Sequence, residues 1–130
     1  AYSEATVPKI SLVLRKAYGG AYVAMCSRSL GADAAFAWPI AELAVMGPEG
    51  AANIIYRDDI NTAPNPEEVR ARKTAEYREK YANPYVACAK GMIDDVIDPK
   101  DTRRRLINTL YSLQTKKETR APRKHGNIPF

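Results

Sequence analysis

The sequence predicts an α/β fold, and three observations carry that prediction. Short apolar or β-branched runs alternate with helical patterns along the chain. Glycine or proline punctuates nearly every junction between them. The 130 residues suffice for one domain with a modest core.

Residues 10–14, ISLVL, form the first predicted strand. Arg15-Lys16-Ala17-Tyr18 leads from it into the pair Gly19-Gly20. In the following AYVAMCSRSL, Ala21, Ala24, Met25 and Arg28 recur at helical spacing, and Gly31 suits the position just past a helix end. Strands are predicted at Ala34–Trp38, stopped by Pro39, and at Leu43–Met46, stopped by Gly47-Pro48. Pro48 fits a first helical position and Glu49 the positive end of a helix dipole, so a helix is expected to about Tyr56.

Asn65-Pro66-Glu67-Glu68 reads as a cap, a first-turn proline and a capping box. The helix that follows, to Tyr81, is polar around most of its circumference, with Glu68/Arg72 and Glu76/Lys80 at i,i+4. Asn83-Pro84 ends it, and Pro84–Lys90 reads as a short helix closed by Gly91. Met92–Ile97 is a short predicted strand containing Asp94 and Asp95. Adjacent strand residues face opposite ways, so this pair is expected to serve structure rather than metal binding or acid–base chemistry. Asp98-Pro99-Lys100-Asp101 opens a last helix with Leu106, Ile107, Leu110 and Leu113 on one face. Residues 115–130, TKKETRAPRKHGNIPF, have no apolar period and are expected to be extended.

Composition narrows the function classes. Hydrophobic residues make up 45% and charged residues 27%, the profile of an ordinary soluble globular chain. No run approaches the roughly 18 apolar residues that span a membrane. The opening AYSEATVPK has neither the apolar run of a signal peptide nor an initiating Met, so the sequence is expected to continue a longer protein. Cys26 and Cys88 stand far apart with no CxxC pair, which predicts free thiols in a reducing compartment. The single histidine, His125, sits in the tail without a second ligand cluster, so no metal site is expected.

The net charge of +5 is unevenly placed. Residues 1–100 hold twelve basic and thirteen acidic side chains, whereas residues 101–130 hold eight and two. A basic tail suits an anionic partner, and nucleic acid is one such class. The tail lacks interleaved aromatics, and no nucleic-acid-binding module is present, so docking on another subunit is the simpler reading. Duplex DNA is therefore expected to bind no more tightly than the non-specific range, roughly 10⁻⁴ to 10⁻⁶ M at physiological salt. A sub-micromolar, sequence-dependent complex in a salt titration would promote the nucleic-acid reading instead.

The stretch that points to chemistry is Arg15–Met25, RKAYGGAYVAM. A strand, a glycine pair and a helix place unpartnered helix amides beyond the turn, with the dipole behind them. Such amides can stabilise an oxyanion. The same arrangement also serves as a plain tight connection. No GxGxxG or GxxxxGK[ST] supports nucleotide binding.

RKAYGGAYVAM resembles the second oxyanion motif of carboxyltransferase subunits in the propionyl-CoA carboxylase β family, which includes methylmalonyl-CoA decarboxylase α and transcarboxylase large subunits. LGADAAFAWPIAELAVMGPEGAANIIYRDDI, NPYVACAKGMIDDVIDPKDTRRRL and the closing APRKHGNIPF resemble the later segments of that family, in order. The resemblance implies a crotonase-like α/β superhelix, with residues 1–130 as the C-terminal part of the second carboxyltransferase half. It implies transfer of a carboxyl group between carboxybiotin, borne on a separate carrier protein or domain, and the α-carbon of a short acyl-CoA.

Two pairs of backbone amides, one pair from each half, hold the biotin and enolate oxyanions in that family. By position, the resemblance assigns Gly20 and Ala21 to the biotin oxygen, and Gly19, Tyr22 and Val23 to the substrate wall, with Val23 near the acyl pocket. It requires no metal and no side-chain base. It further implies biotin carboxyl carrier and biotin carboxylase or decarboxylase partner subunits, a homo-hexamer, and a cytoplasmic or, in eukaryotes, mitochondrial-matrix location. The charged helix at 66–81 and the basic tail are expected at subunit contacts.

Two further readings stand beside this one. A crotonase-type hydratase or isomerase would place carboxylates beside its oxyanion amides, and none adjoins GGAY. A piece that only dimerises would need no site at all. Glu49 is expected as a helix-terminal acid, and Trp38, Tyr18 and Tyr22 as core or interface aromatics.

Overall fold

A computed structural model describes residues 1–122, 124 and 126. Among the described residues, five short strands and six α-helices follow in the order β1 (Ile10–Val13), β2 (Lys16–Tyr18), α1 (Gly19–Ala24), β3 (Ala34–Ala37), β4 (Glu42–Ala44), α2 (Pro48–Ile55), α3 (Arg57–Thr62), α4 (Pro66–Tyr81), α5 (Pro84–Ala89), β5 (Asp95–Val96) and α6 (Thr102–Ser112). The strands form two parallel sheets, β1-β3-β5 and β2-β4. Ile10 pairs with Ala34 at one end of β1 and Val13 with Ala37 at the other. Tyr18 pairs with Ala44 in the second sheet.

One apolar cluster joins the sheets: Val13, Ala35 and Ala37 from the first, Ala17 and Leu43 from the second, closed by Ala87 and Ile93. All four residues of β3 are buried, three of them alanines, so neighbouring backbones approach closely. A second cluster of Ala44, Ala51, Tyr77 and Ala82 packs α4 and α2 against β4. Ala51 and Ala52 are fully buried. A third cluster, Ala34, Phe36 and Ile97, receives Trp38 and Leu106. The Trp38 indole N–H donates to Thr102 Oγ1 at 2.9 Å, which ties the loop after β3 to α6.

Several sequence expectations need correction. The expected lead-in to the glycines is a strand, β2, whose three residues carry too little alternation to register as one in the sequence. The helix at the glycine pair ends at Ala24 rather than near Gly31. Cys26 has φ 71°, a left-handed backbone that breaks the helix, and Ser27 then caps a separate 3₁₀ turn, Arg28–Leu30. Gly31, at φ 90°, closes that turn. α3 had no apolar period in RDDINT, yet it forms by burying Ile60. The strand expected at Leu43–Met46 shifts to Glu42–Ala44, and the one at Met92–Ile97 shrinks to Asp95–Val96.

The long helix α4 forms where predicted, but by different contacts. Asn65 makes no side-chain cap; its side-chain Nδ2 donates to Glu68 Oε2 instead. Glu76 takes Lys73 at 3.3 Å and Arg72 at 3.9 Å in place of Lys80. Such exposed pairs contribute about 0.3–0.5 kcal/mol each, so their rearrangement costs the helix little. Nor is α4 short of packing within the chain, because Thr74 and Tyr77 are buried and the helix lies on α2 and α3. The expected caps elsewhere do form: Asn83 Oδ1 accepts from the Val86 amide at 2.9 Å, and Asp98 Oδ1 from the Lys100 amide at 3.3 Å.

Both cysteines are free thiols, Cys26 buried and Cys88 partly so. Asp94 accepts from the Ala35 amide at 2.7 Å and pairs with Arg28 at 3.1 Å, and Asp95 pairs with Arg105. Both carboxylates thus brace the first sheet. Lys116 reaches back to Asp33 at 2.9 Å, anchoring the start of the tail beside β3. Leu106 on α6 and Leu113 just past its end are partly buried, while Ile107 and Leu110 remain about half exposed, at 50% and 48%. Of the closing APRKHGNIPF, Arg123, His125 and residues 127–130 lie outside the described residues.

Candidate functional site

The second sheet brings the end of β2 beside the end of β4, and the glycine pair follows where β2 stops. Tyr18 is the last extended residue, at φ −119° and ψ 135°. Gly19 then turns the chain at φ 55° and opens α1. A Cβ on Gly19 would stand 2.9 Å from the Val45 carbonyl oxygen, so this turn admits only glycine without strain. Gly20 differs: its φ is ordinary, and a Cβ there would meet nothing within 4 Å. The first glycine builds the turn; the second leaves room.

The amides of Gly20 and Ala21 belong to the first turn of α1, where no intrahelical acceptor exists. Among the described residues, neither donates a hydrogen bond to a side chain or to another element. Gly19, Gly20, Tyr22 and Val23 line an open, mainly apolar cleft of about 320 Å³ with Ser29, Ala44, Val45 and Met92. Ala21 faces the other way, onto a neighbouring groove of about 430 Å³ along β1 and β2, and Tyr22 borders both. Thus four of the five predicted residues share one cleft, and Ala21 adjoins it.

The cleft has a firm floor. The Tyr22 hydroxyl donates to the Met92 carbonyl at 2.9 Å, locking α1 onto the segment before β5. Burial raises the Tyr22 pKa, which keeps it a protonated donor. Val23 and Val45 stand exposed at the rim. Neither Val45 nor Met92 was legible as a site residue, because only folding brings them to the glycine turn.

Behind the turn stands a polar brace. The Tyr18 hydroxyl donates to Glu42 Oε2. Glu42 Oε1 receives Arg78 Nε at 3.2 Å, and the Arg78 guanidinium also reaches Glu49 at 2.9 Å. Burial, followed by the Glu42 carboxylate, pushes the Tyr18 pKa up to about 12. Glu49 is therefore a helix-terminal acid held by α4, away from the cleft lining.

Elsewhere, a polar recess of about 280 Å³ lies between β5 and α6, but Arg104–Asp101 and Arg105–Asp95 pairs neutralise it internally. Among the described residues, no three His, Cys, Asp or Glu side chains converge as metal ligands. No described helix is long and apolar enough to cross a membrane.

Paired parallel sheets, a glycine turn and unpartnered amides at a cleft are the features to be matched, and comparison with known proteins identifies them as a crotonase-like carboxyltransferase fold. The sequence profile described as "Carboxyl transferase domain" matches residues 1–128. The chain belongs to the carboxyl transferase domain family. It is 60% identical over 129 residues to the methylmalonyl-CoA carboxyltransferase 12S subunit of Propionibacterium freudenreichii subsp. shermanii, matching 99% of this chain and 25% of that one. It is 57% identical over 130 residues to the methylmalonyl-CoA decarboxylase subunit alpha of Propionigenium modestum, covering 100% and 25%. A crystal structure of the transcarboxylase 12S hexamer, with methylmalonyl-CoA and methylmalonic acid bound, superposes with a TM-score of 0.90 at 60% identity, over 99% of this chain and 25% of the other. The chain thus spans about a quarter of the length of these relatives. A family match of this extent leaves the hydratase or isomerase reading without support.

Proposed function

We propose that residues 1–130 are the C-terminal part of the second half of a biotin-dependent carboxyltransferase, which moves a carboxyl group between biotin and a short acyl-CoA of the propionyl or methylmalonyl type. The observation that carries this reading is the pair of unpartnered amides, Gly20 and Ala21, beside a cleft that Gly20 leaves unfilled. Biotin, borne on a separate carrier, supplies the transferable carboxyl group. The chain's own contribution is electrostatic. The two amides and the dipole behind them favour negative charge on an oxygen lodged at the turn, and the apolar walls strengthen that interaction by excluding water. Val23, Val45 and Met92 offer a short acyl chain an apolar surface.

A chain that is a quarter of its relatives cannot carry both halves of such a site, so this stretch acts within the full-length subunit, in an oligomer with carrier and carboxylase or decarboxylase partners. The half-exposed Ile107 and Leu110 and the exposed Tyr111 on α6, together with the basic tail, suit subunit contacts of that assembly. A cytoplasmic or mitochondrial-matrix setting fits two free thiols.

The test is to express the full-length subunit and assay carboxyl exchange between biotin and propionyl- or methylmalonyl-CoA. No exchange with any short acyl-CoA overturns the proposal. Val23→Asp sharpens it. The substitution places a charge at the rim without altering an amide, so it is expected to change the ranking of acyl-CoA substrates by about tenfold while sparing exchange itself. An unchanged ranking removes Val23 from the acyl wall.

A further inference from the structure

We propose that Tyr18, Glu42 and Arg78 form a positioning relay that sets the orientation of the Gly20 and Ala21 amides; this rests on the oxyanion reading above. Tyr18 is the residue from which the glycine turn departs, so its placement fixes the origin of α1. Three contacts hold it. Its backbone pairs with Ala44 across the second sheet. Its ring lies against the Gly47 turn, where even an added Cβ would come within 3.5 Å. Its hydroxyl is held by Glu42.

Glu42 does not act alone. It opens β4 in register with Lys16, and its second carboxylate oxygen is bound by Arg78 from the last turn of α4. The same guanidinium takes Glu49 in the first turn of α2. One cation therefore cross-links three elements, and the chain of contacts ends at the residue before Gly19. A planar guanidinium can hold two carboxylates at once in fixed geometry, which a lysine ammonium does less well. None of the three side chains lines the apolar cleft beside Gly20, and only Tyr18 borders the neighbouring groove, its hydroxyl held by Glu42, so an effect on the Gly20 cleft passes through the turn.

The relay can be separated from plain stability. In the full-length subunit with its carrier, Tyr18→Phe removes one oxygen and keeps the ring. We expect kcat for carboxyl transfer by the folded fraction to fall roughly tenfold, with KM for acyl-CoA unchanged, because a small misplacement of a catalytic group costs this much or more. Arg78→Ala is expected to fall by a similar factor, and the double variant no further than either single one. Arg78→Lys should recover part of the loss. Gly20→Val is assayed in parallel. If Gly20→Val abolishes transfer while the folded fraction of Tyr18→Phe keeps full kcat, the relay is wrong and the oxyanion site stands. The relay also fails if the two single losses multiply in the double variant. If Gly20→Val is harmless, the oxyanion reading falls, and the relay with it.

Discussion

In the full-length subunit, Gly20→Val is expected to reduce carboxyl transfer between biotin and acyl-CoA by about 10²- to 10³-fold, roughly 3–4 kcal/mol of transition-state stabilisation. The structure makes this residue an unusually clean probe. A Cβ at Gly20 meets nothing within 4 Å, so the first carbon of a new side chain finds open space beside the cleft that Gly20 lines. Its φ lies outside the left-handed region, so an L side chain is tolerated there. The remaining folding cost is the lower helix propensity of a β-branched residue, under about 1 kcal/mol, and it is partly offset because glycine is itself a poor helix former. Thermal melting of the variant should therefore lie close to that of the parent, and calorimetry should show acyl-CoA binding retained, because the proposed two-half site holds acyl-CoA mainly by its other half. Unfolding of the variant, with full activity in whatever remains folded, would instead mean that this glycine serves the fold alone.

How far the sequence foretold this arrangement depends on the length of each signal. Strong local punctuation was enough for α2, α4 and α5, each opened by a proline at its first position. It was also enough for the glycine turn itself, since a strand, two glycines and a helix can be read from eleven consecutive residues. What could not be read was pairing. β2 has only three residues and becomes a strand because Ala17 and Tyr18 find Leu43 and Ala44, about twenty-six positions away. The break at Cys26 was hidden for another reason: a non-glycine residue in the left-handed region carries no compositional flag.

The site shows the same division. Gly19, Gly20, Tyr22 and Val23 were visible because they fall within five consecutive residues. Val45 and Met92 were not, because the loop after β4 and the segment before β5 reach the cleft only in the folded chain. The Tyr18–Glu42–Arg78 brace was likewise out of reach. In the sequence, Arg78 is one more charge on a helix whose charges mostly face water; its two carboxylates lie on other elements, 36 and 29 positions away. Nor could the sequence say which glycine of the pair does which job. That distinction required the position of one carbonyl oxygen, that of Val45.

Gly19→Ala provides the converse experiment, and its largest effect is on stability. The backbone at Gly19 sits at φ 55°, where an L residue costs roughly 1–2 kcal/mol. The added methyl also falls 2.9 Å from the Val45 carbonyl oxygen, closer than a carbon and an oxygen can rest. That oxygen is backbone and cannot swing aside, so relief requires moving either the start of α1 or the loop after β4, at about 1–3 kcal/mol. Together these predict a loss of about 2–5 kcal/mol of folding stability, measurable by denaturant unfolding of the full-length subunit. Activity should fall as well, since relieving the clash rotates the amides that Gly19 precedes. The pair of variants thus divides the motif. Gly19→Ala is expected to lower the unfolding midpoint and transfer together, and Gly20→Val to lower transfer alone. Equal unfolding midpoints for Gly19→Ala and the parent would show that the turn is looser than the Val45 contact implies, and that both glycines serve the cleft.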